Sequence, residues 1–256
     1  MKRIRVIPSL LLHKGGLIKS VKFKEYRYVG DPINAVKIFN EKEVDELAVI
    51  DIDATRNRRP PDIKKIAEIV SEAFMPIAYG GGITTIEEVK EILFNGVEKV
   101  IINKACVTDP ALVSEAARLF GNQSIVASID VKKSLLSGKK VYTDNGKVNT
   151  GLDPVNFAIK MQNAGAGEIL LNAIDRDGTY KGYDLRLVHE ISHAVTIPVI
   201  AIGGASKVED FSQAVQEGAS AVAAGSMFVF QQPHNAVLIS YPSQAELKQK
   251  LYGLIS

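Results

Sequence analysis

The chain contains most of itself twice. Residues 31–105 recur at 153–227 without a gap, at a constant offset of 122. Asp31, Pro32 and Asn34 return as Asp153, Pro154 and Asn156, and Glu46 returns as Glu168. Pro76 returns as Pro198, Gly81 and Gly82 as Gly203 and Gly204, Glu87 as Glu209, Gly96 as Gly218, and Val100 as Val222. Units this long exceed any solenoid repeat. They predict one closed domain over residues 1–256, built from halves of about 1–122 and 123–256 with matching sites on each half.

Eight short β-rich apolar runs, at 4–10, 46–50, 76–79, 99–102, 124–129, 168–171, 198–202 and 219–224, alternate with amphipathic stretches. In the stretch 85–95, Ile86, Val89, Ile92 and Leu93 recur at helical spacing and Gly96 follows as a stop signal. Near-continuous apolar strands separated by helices imply parallel strands buried on both faces. Eight such units with internal twofold similarity predict a (β/α)8 barrel of the TIM type, and 256 residues, 46% of them hydrophobic, suit one such barrel. An open doubly wound sheet is the rival, but the spaced glycines of a dinucleotide site are missing after the first strand. Two long connections, 13–30 and 132–152, carry Lys and Gly and fall at the catalytic end of a barrel.

A net charge of +2 without a polybasic block gives no footprint for nucleic acid or an anionic membrane. No apolar run reaches membrane-spanning length, and Met1-Lys2-Arg3-Ile4-Arg5-Val6 leads into a strand without a secretory region. A cytoplasmic enzyme is the expectation. The single Cys106 excludes an internal disulfide and, with four histidines, argues against a structural zinc site. His189-Glu190-Ile191-Ser192-His193 matches the H-E-x-x-H zinc pattern, but its repeat mate, Ala67-Glu68-Ile69-Val70-Ser71, has no histidine, so the segment is expected to be a scaffold helix. Neither a metal nor a cofactor is expected.

Gly80-Gly81-Gly82 ends the third strand, and Gly203-Gly204 ends the seventh. Asn103-Lys104 follows the fourth strand, and Gly225-Ser226 the eighth. Glycine lets backbone N–H groups approach an anion, and the following helix adds its positive end. Each pair also suits a tight turn, but two symmetric pairs favour two phosphates on opposite sides of one mouth.

Asp130 closes the apolar run of the fifth strand, where burial would raise its pKa toward a working range. Its counterpart on the first strand is Leu11, which cannot move a proton. Asp177-Gly178-Thr179 on the rim reads equally well as a turn or as a functional loop. Asp51 and Asp53 end the second strand, and one of them is a candidate to orient Lys19 from the first long loop. At the opposite end, Arg5, Glu46, Lys99 and Glu168 stand at strand starts. By strand alternation they form either a ring across the barrel floor or, more simply, solvated surface pairs.

The stretches Ile7-Pro8-Ser9-Leu10, Gly30-Asp31-Pro32, Lys99-Val100-Ile101-Ile102-Asn103, Gly165-Ala166-Gly167-Glu168-Ile169-Leu170-Leu171 and Asp175-Arg176-Asp177-Gly178-Thr179 resemble HisF, the cyclase subunit of imidazole glycerol phosphate synthase. The similarity covers nearly the whole chain, and the last two stretches separate it from the sister isomerase HisA. The resemblance implies a barrel that receives ammonia from a HisH-type glutaminase docked on its N-terminal face as a heterodimer. Ammonia would pass a gate of Arg5, Glu46, Lys99 and Glu168, which reverses the simpler reading of those charges. The implied reaction joins ammonia to a bisphosphate, phosphoribulosyl-formimino-aminoimidazole-carboxamide ribonucleotide, giving imidazole glycerol phosphate and aminoimidazole-carboxamide ribonucleotide. In it Asp130 would be catalytic, and Lys19, Asp51 and Asn172 would line the site. Gly82, Asn103 and Lys104 would hold one phosphate, and Asp177, Gly178, Gly204, Gly225 and Ser226 the other.

Four positions depart from the family pattern. Leu11 stands where a second catalytic aspartate is expected, Asn172 and Ile202 where Thr and Ser are expected, and Lys104 replaces a small hydroxyl residue. The resemblance therefore leaves open a cyclase-impaired paralogue that passes ammonia to a sugar-amidating enzyme of surface polysaccharide synthesis, or a non-catalytic scaffold for the glutaminase.

Overall fold

The computed structural model describes residues 4–134 and 138–254. Met1 to Arg3, read above as leading into the first strand, and three residues of the second long connection lie outside them. The central strands are β1 (Arg5–His13), β2 (Leu47–Asp51), β3 (Ile77–Gly80), β4 (Lys99–Ile102), β5 (Ile125–Ser134), β6 (Glu168–Ala173), β7 (Val199–Ile202) and β8 (Ala221–Ala224). Each is parallel to its neighbours, and β1 pairs with both β8 and β2, so the sheet closes on itself as a (β/α)8 TIM barrel.

The outer helices start where the repeat says they should, and the caps repeat with it. Asp31 and Asp153 each accept a backbone N–H three residues on, from Asn34 and Asn156, at 3.0 Å, ahead of α1 (Pro32–Glu41) and α5 (Pro154–Asn163). Asp62 and Asp184 cap α2 (Ile63–Ser71) and α6 (Leu185–Ser192) in the same way. Glu88 and its mate Asp210 reach back to the backbone at the starts of α3 (Ile86–Phe94) and α7 (Val208–Gln216). Between these pairs lies α4 (Ala111–Phe120), and α8 (Gln244–Lys250) ends the series. Such caps satisfy helix-end donors and contribute about 1 kcal/mol each.

Two apolar zones result. The large one lies between barrel and helices and includes Val6, Phe39, Tyr79, Ile92, Phe211 and Phe228. The small one fills the barrel interior with Ile7, Ala48, Ala78, Ile101, Val126, Leu170, Ile200, Ala221 and Ala223. Alternation along each strand decides which residue joins which zone.

The long connections are not plain loops. β1 runs on into an antiparallel hairpin of Gly16–Val21 and Lys24–Gly30, and β5 into one with Gly138–Thr143. Lys24–Gly30 is polar and largely exposed, while Gly16–Val21 and Gly138–Thr143 mix buried polar with buried apolar residues, so apolar periodicity gives no clear sign of these strands. No helix among the described residues is long and apolar enough to cross a membrane.

Candidate functional site: a floor ring, an apolar axis and a rim cavity

The four strand-start charges meet across the barrel floor. Arg5 places Nη1 2.5 Å from Glu46 Oε2 and Nη2 2.6 Å from Glu168 Oε1. Lys99 Nζ lies 3.0 Å from Glu46 Oε2 and 3.1 Å from Glu168 Oε2. Each carboxylate therefore touches both cations. Burial works against the charge on Arg5, but Glu46 and Glu168 outweigh it and raise its pKa. Outside the ring is an open depression lined by Asp45, Pro76, Glu98, Asn122 and Gln123 among others. Inside it begins the apolar axis, in which four of the nine core side chains are Ala.

The axis ends in a cavity at the C-terminal mouth with about 960 Å³ of free space, its opening included. Seven of the site residues that the resemblance implies line it: Lys19, Asp51, Asn103, Asp130, Asn172, Asp177 and Gly225. Leu11, Ile50, Ile101, Leu170 and Ile202 make much of the rest apolar. Asp130 is buried, and burial pushes its pKa up to about 7, against the opposing pull of hydrogen bonds from Asn172 and Asn103. Asn103 Nδ2 donates to Asp130 Oδ2 at 3.2 Å, and Asn172 stands directly across from Asp130 in the β5–β6 register.

Lys19 enters from the β1 hairpin and is buried, its ammonium donating to the carbonyl of Ser9. Gly225 makes room for it, because a Cβ there would lie 2.1 Å from Nζ. The expectation that Asp51 or Asp53 orients Lys19 does not hold. Asp51 caps the short helix Ile52–Arg56 through the N–H groups of Asp53 and Ala54, and its other oxygen takes Arg59 at 2.5 Å. Asp53 is bound to the hairpin root, 2.9 Å from His13 Nδ1 and accepting the N–H of Lys14 at 2.8 Å. The acidic group that acts on Lys19 is Asp177, whose own pKa is raised by burial and partly restored by Lys19.

A second cavity adjoins the mouth on the side of the first repeat. It gathers Gly82, Asn103 and Lys104 with Thr55, Arg58 and Arg59. Gly81 could not bear a side chain, since a Cβ would lie 2.3 Å from the carbonyl oxygen of Asp51. Lys104 is paired with Asp144 at 2.7 Å. Arg58 and Arg59 were not singled out from the sequence, although the run Arg56-Asn57-Arg58-Arg59 between β2 and α2 was the available signal. On the other half, Gly178, Gly204 and Ser226 line neither cavity. A Cβ at Gly178 or Gly204 would lie 2.3 Å from the carbonyl oxygen of Ser20 or Gly182, and Ser226 is bonded to the hydroxyl of Tyr180. The mirrored turns thus present an open, cationic pocket on one side and a packed one on the other.

His189 lies on α6 and His193 caps its C-terminal end, away from this site. His189 Nδ1 is 2.9 Å from Glu217, and His193 Nδ1 is 2.9 Å from the carbonyl of His189. Among the described residues there is no group of His, Cys, Asp and Glu able to hold a metal ion.

The root contacts of the hairpin carry an expected result. Asp53→Ala removes an acceptor from two donors and should cost about 2 kcal/mol of local stability. Amide hydrogen exchange of residues 14–21 should speed up by roughly thirty-fold while the helices stay protected.

Comparison with known proteins agrees with this geometry. The family model described as "Histidine biosynthesis protein" matches residues 5–234. A Pseudomonas aeruginosa protein, provisionally named imidazole glycerol phosphate synthase subunit hisF2, is 52% identical over 96% of this chain and 99% of its own length. A Vibrio vulnificus protein with the corresponding provisional name, subunit hisF3, is 49% identical over 98% and 97%. Imidazole glycerol phosphate synthase subunit HisF of Alkaliphilus metalliredigens is 39% identical over 98% and 96%. On this similarity, which spans almost the full length of both partners, the chain belongs to the HisF-type imidazole glycerol phosphate synthase subunits of the histidine-biosynthesis family.

Proposed function

We propose that this chain is the cyclase subunit of a glutamine-dependent imidazole glycerol phosphate synthase. A glutaminase subunit on the N-terminal face would release ammonia into the floor depression. Ammonia would pass the Arg5–Glu46–Lys99–Glu168 ring, cross the apolar axis and reach the bisphosphate at the mouth. One observation carries the reading: a closed ionic ring, an apolar interior and a cavity holding a near-neutral carboxyl group share one axis. Ammonia is small and uncharged, so an apolar axis passes it while holding back its hydrated ion.

At the mouth, Gly82, Asn103 and Lys104 would take one phosphate, helped by Arg58 and Arg59, whose planar forks suit phosphate oxygens. Asp177, Gly178, Gly204, Gly225 and Ser226 would take the other once the rim loops part. Asp130, titrating near 7, is matched to give and take protons during ring closure and cleavage.

The paralogue reading keeps the axis and changes the acceptor. It is supported by Leu11 and Ile202, which replace polar groups at the mouth, and by the numbered subunit names of the relatives at 49–52% identity. Ammonia-dependent turnover of the bisphosphate separates the two. The wild-type chain should consume it measurably, and Leu11→Asp should raise the rate by about ten-fold, part of what a placed carboxylate typically contributes. Stimulation of the glutaminase without any consumption of the bisphosphate, by either form, would favour the paralogue.

A further inference from the structure

We propose that Lys19 is the second proton-transfer group of this mouth, filling the role left vacant by Leu11; the assignment rests on the cyclase reading above. The mouth offers an acid on the β5 side, Asp130, and only an isobutyl group at the matching place on β1. Lys19 reaches that deficient side from the hairpin. Its ammonium is held by the carbonyl of Ser9, two residues before Leu11 on the same face of the same strand.

Three features separate this lysine from a structural one. It is 6% exposed, yet among the described residues no carboxylate stands within salt-bridge distance of it. A lysine buried for support is ordinarily paired. The residue after β8 is Gly225, so the site keeps clear the space the amine occupies. And Lys19 lines the same mouth as Asp130, so both groups face one space.

The electrostatics agree with the geometry. Burial lowers the pKa of Lys19 to about 8, with Asp177 opposing, and burial raises that of Asp130 to about 7. Two groups brought close to neutrality from opposite directions, facing one cavity, form the pattern of an acid/base pair. In the addition step the ammonia nitrogen forms its bond to the ribulosyl carbonyl carbon as the C=O π bond breaks. The Lys19 ammonium gives its proton to the carbonyl oxygen. The resulting amine takes a proton back from the added nitrogen, leaving a carbinolamine and a recharged lysine, with no net proton lost.

The test is ammonia-dependent turnover of the bisphosphate at saturating ammonia by the wild type, Lys19→Met, Lys19→Arg, Leu11→Asp and the double variant Leu11→Asp/Lys19→Met. Both Lys19 variants should lose about 10²- to 10⁴-fold in kcat, with KM for the bisphosphate changing far less. Arg keeps the charge but cannot release a proton near neutrality. The double variant should recover at least about ten-fold over Lys19→Met, because a carboxylate at position 11 restores a proton carrier. Lys19→Cys alkylated with 2-bromoethylamine should regain turnover, with the alkaline limb of its kcat profile moved to lower pH, since the thioether analogue is the more acidic amine. Cys106 does not compete, being fully buried with its thiol pushed up to about 12.

Wild-type kcat in Lys19→Arg, a loss confined to KM, or no recovery in the double variant while Leu11→Asp is active would each overturn the assignment and leave the cyclase reading standing. An inactive wild type beside an active Leu11→Asp would overturn the assignment and the cyclase reading of this chain together. If neither the wild type nor Leu11→Asp consumes the bisphosphate, the cyclase reading falls and the assignment falls with it.

Discussion

Asp130→Asn is expected to lower kcat for ammonia-dependent turnover by about two to four orders of magnitude and to make the protein more stable at pH 8. The first effect follows from removing the mouth carboxyl group whose pKa burial brings up to about 7. The second follows from linkage. The folded pKa, about 7, lies above the ordinary aspartate value of 3.8, so the folded state holds a proton that the unfolded chain has released. That stabilising contribution is complete below about pH 4 and disappears as pH rises through 7, leaving an ionised carboxylate in a buried site. At pH 8 the wild type bears this cost, up to about 4 kcal/mol for a shift of this size, and the amide does not. Thermal unfolding of both proteins at pH 4.5 and pH 8 checks it. The asparagine form should gain on the wild type only at the higher pH, and an equal difference at both would remove the basis for treating Asp130 as a tuned acid.

Arg5→Ala is expected to cost about 3 kcal/mol of stability and to uncouple ammonia delivery from its use. Arg5 is the one residue that fastens Glu46 to Glu168 through two separate nitrogens. Without it two largely buried carboxylates share a single ammonium, that of Lys99. Breaking a buried ionic group by removing one partner costs several kcal/mol, and the partial exposure of Arg5 places this case at the lower end. Chemical denaturation measures the loss. With the glutaminase bound, turnover supported by added ammonium salt should persist while turnover supported by glutamine falls severalfold. Equal losses from both nitrogen sources would mean that the ring braces the floor without gating it.

Much of the barrel was legible because its determinants are local and doubled. Asp31-Pro32 and Asp153-Pro154 each say that a helix begins, and the eight apolar runs mark strands to within a few residues. The floor ring was different. Alternation placed Arg5, Glu46, Lys99 and Glu168 on inward faces, but whether they meet depends on barrel closure, which no single segment encodes. The partner of Lys19 was not legible for the same reason: Asp177 lies more than a hundred residues away and is joined to the hairpin by the contact of Lys22 N with its carbonyl. Asp51 misled as a partner for Lys19 because a rim carboxylate suits both a lysine and a helix cap, and the cap together with Arg59 takes up its oxygens. The unequal surroundings of the two glycine turns escaped prediction because the repeat doubles the glycines without doubling the loops that cover them.

β1 is held on one side by β2 and on the other by β8, and the hydroxyl of Tyr241 donates to the carbonyl of Val6 at 3.0 Å. β1 therefore leaves the ribosome well before β8, and before the tyrosine that follows it, can cover its edge. Throughout synthesis the nascent chain carries an unpaired parallel edge, the kind of surface that invites chaperones and mispairing with a neighbouring copy. However fast any one βα unit forms, the barrel cannot close until β8 has been made.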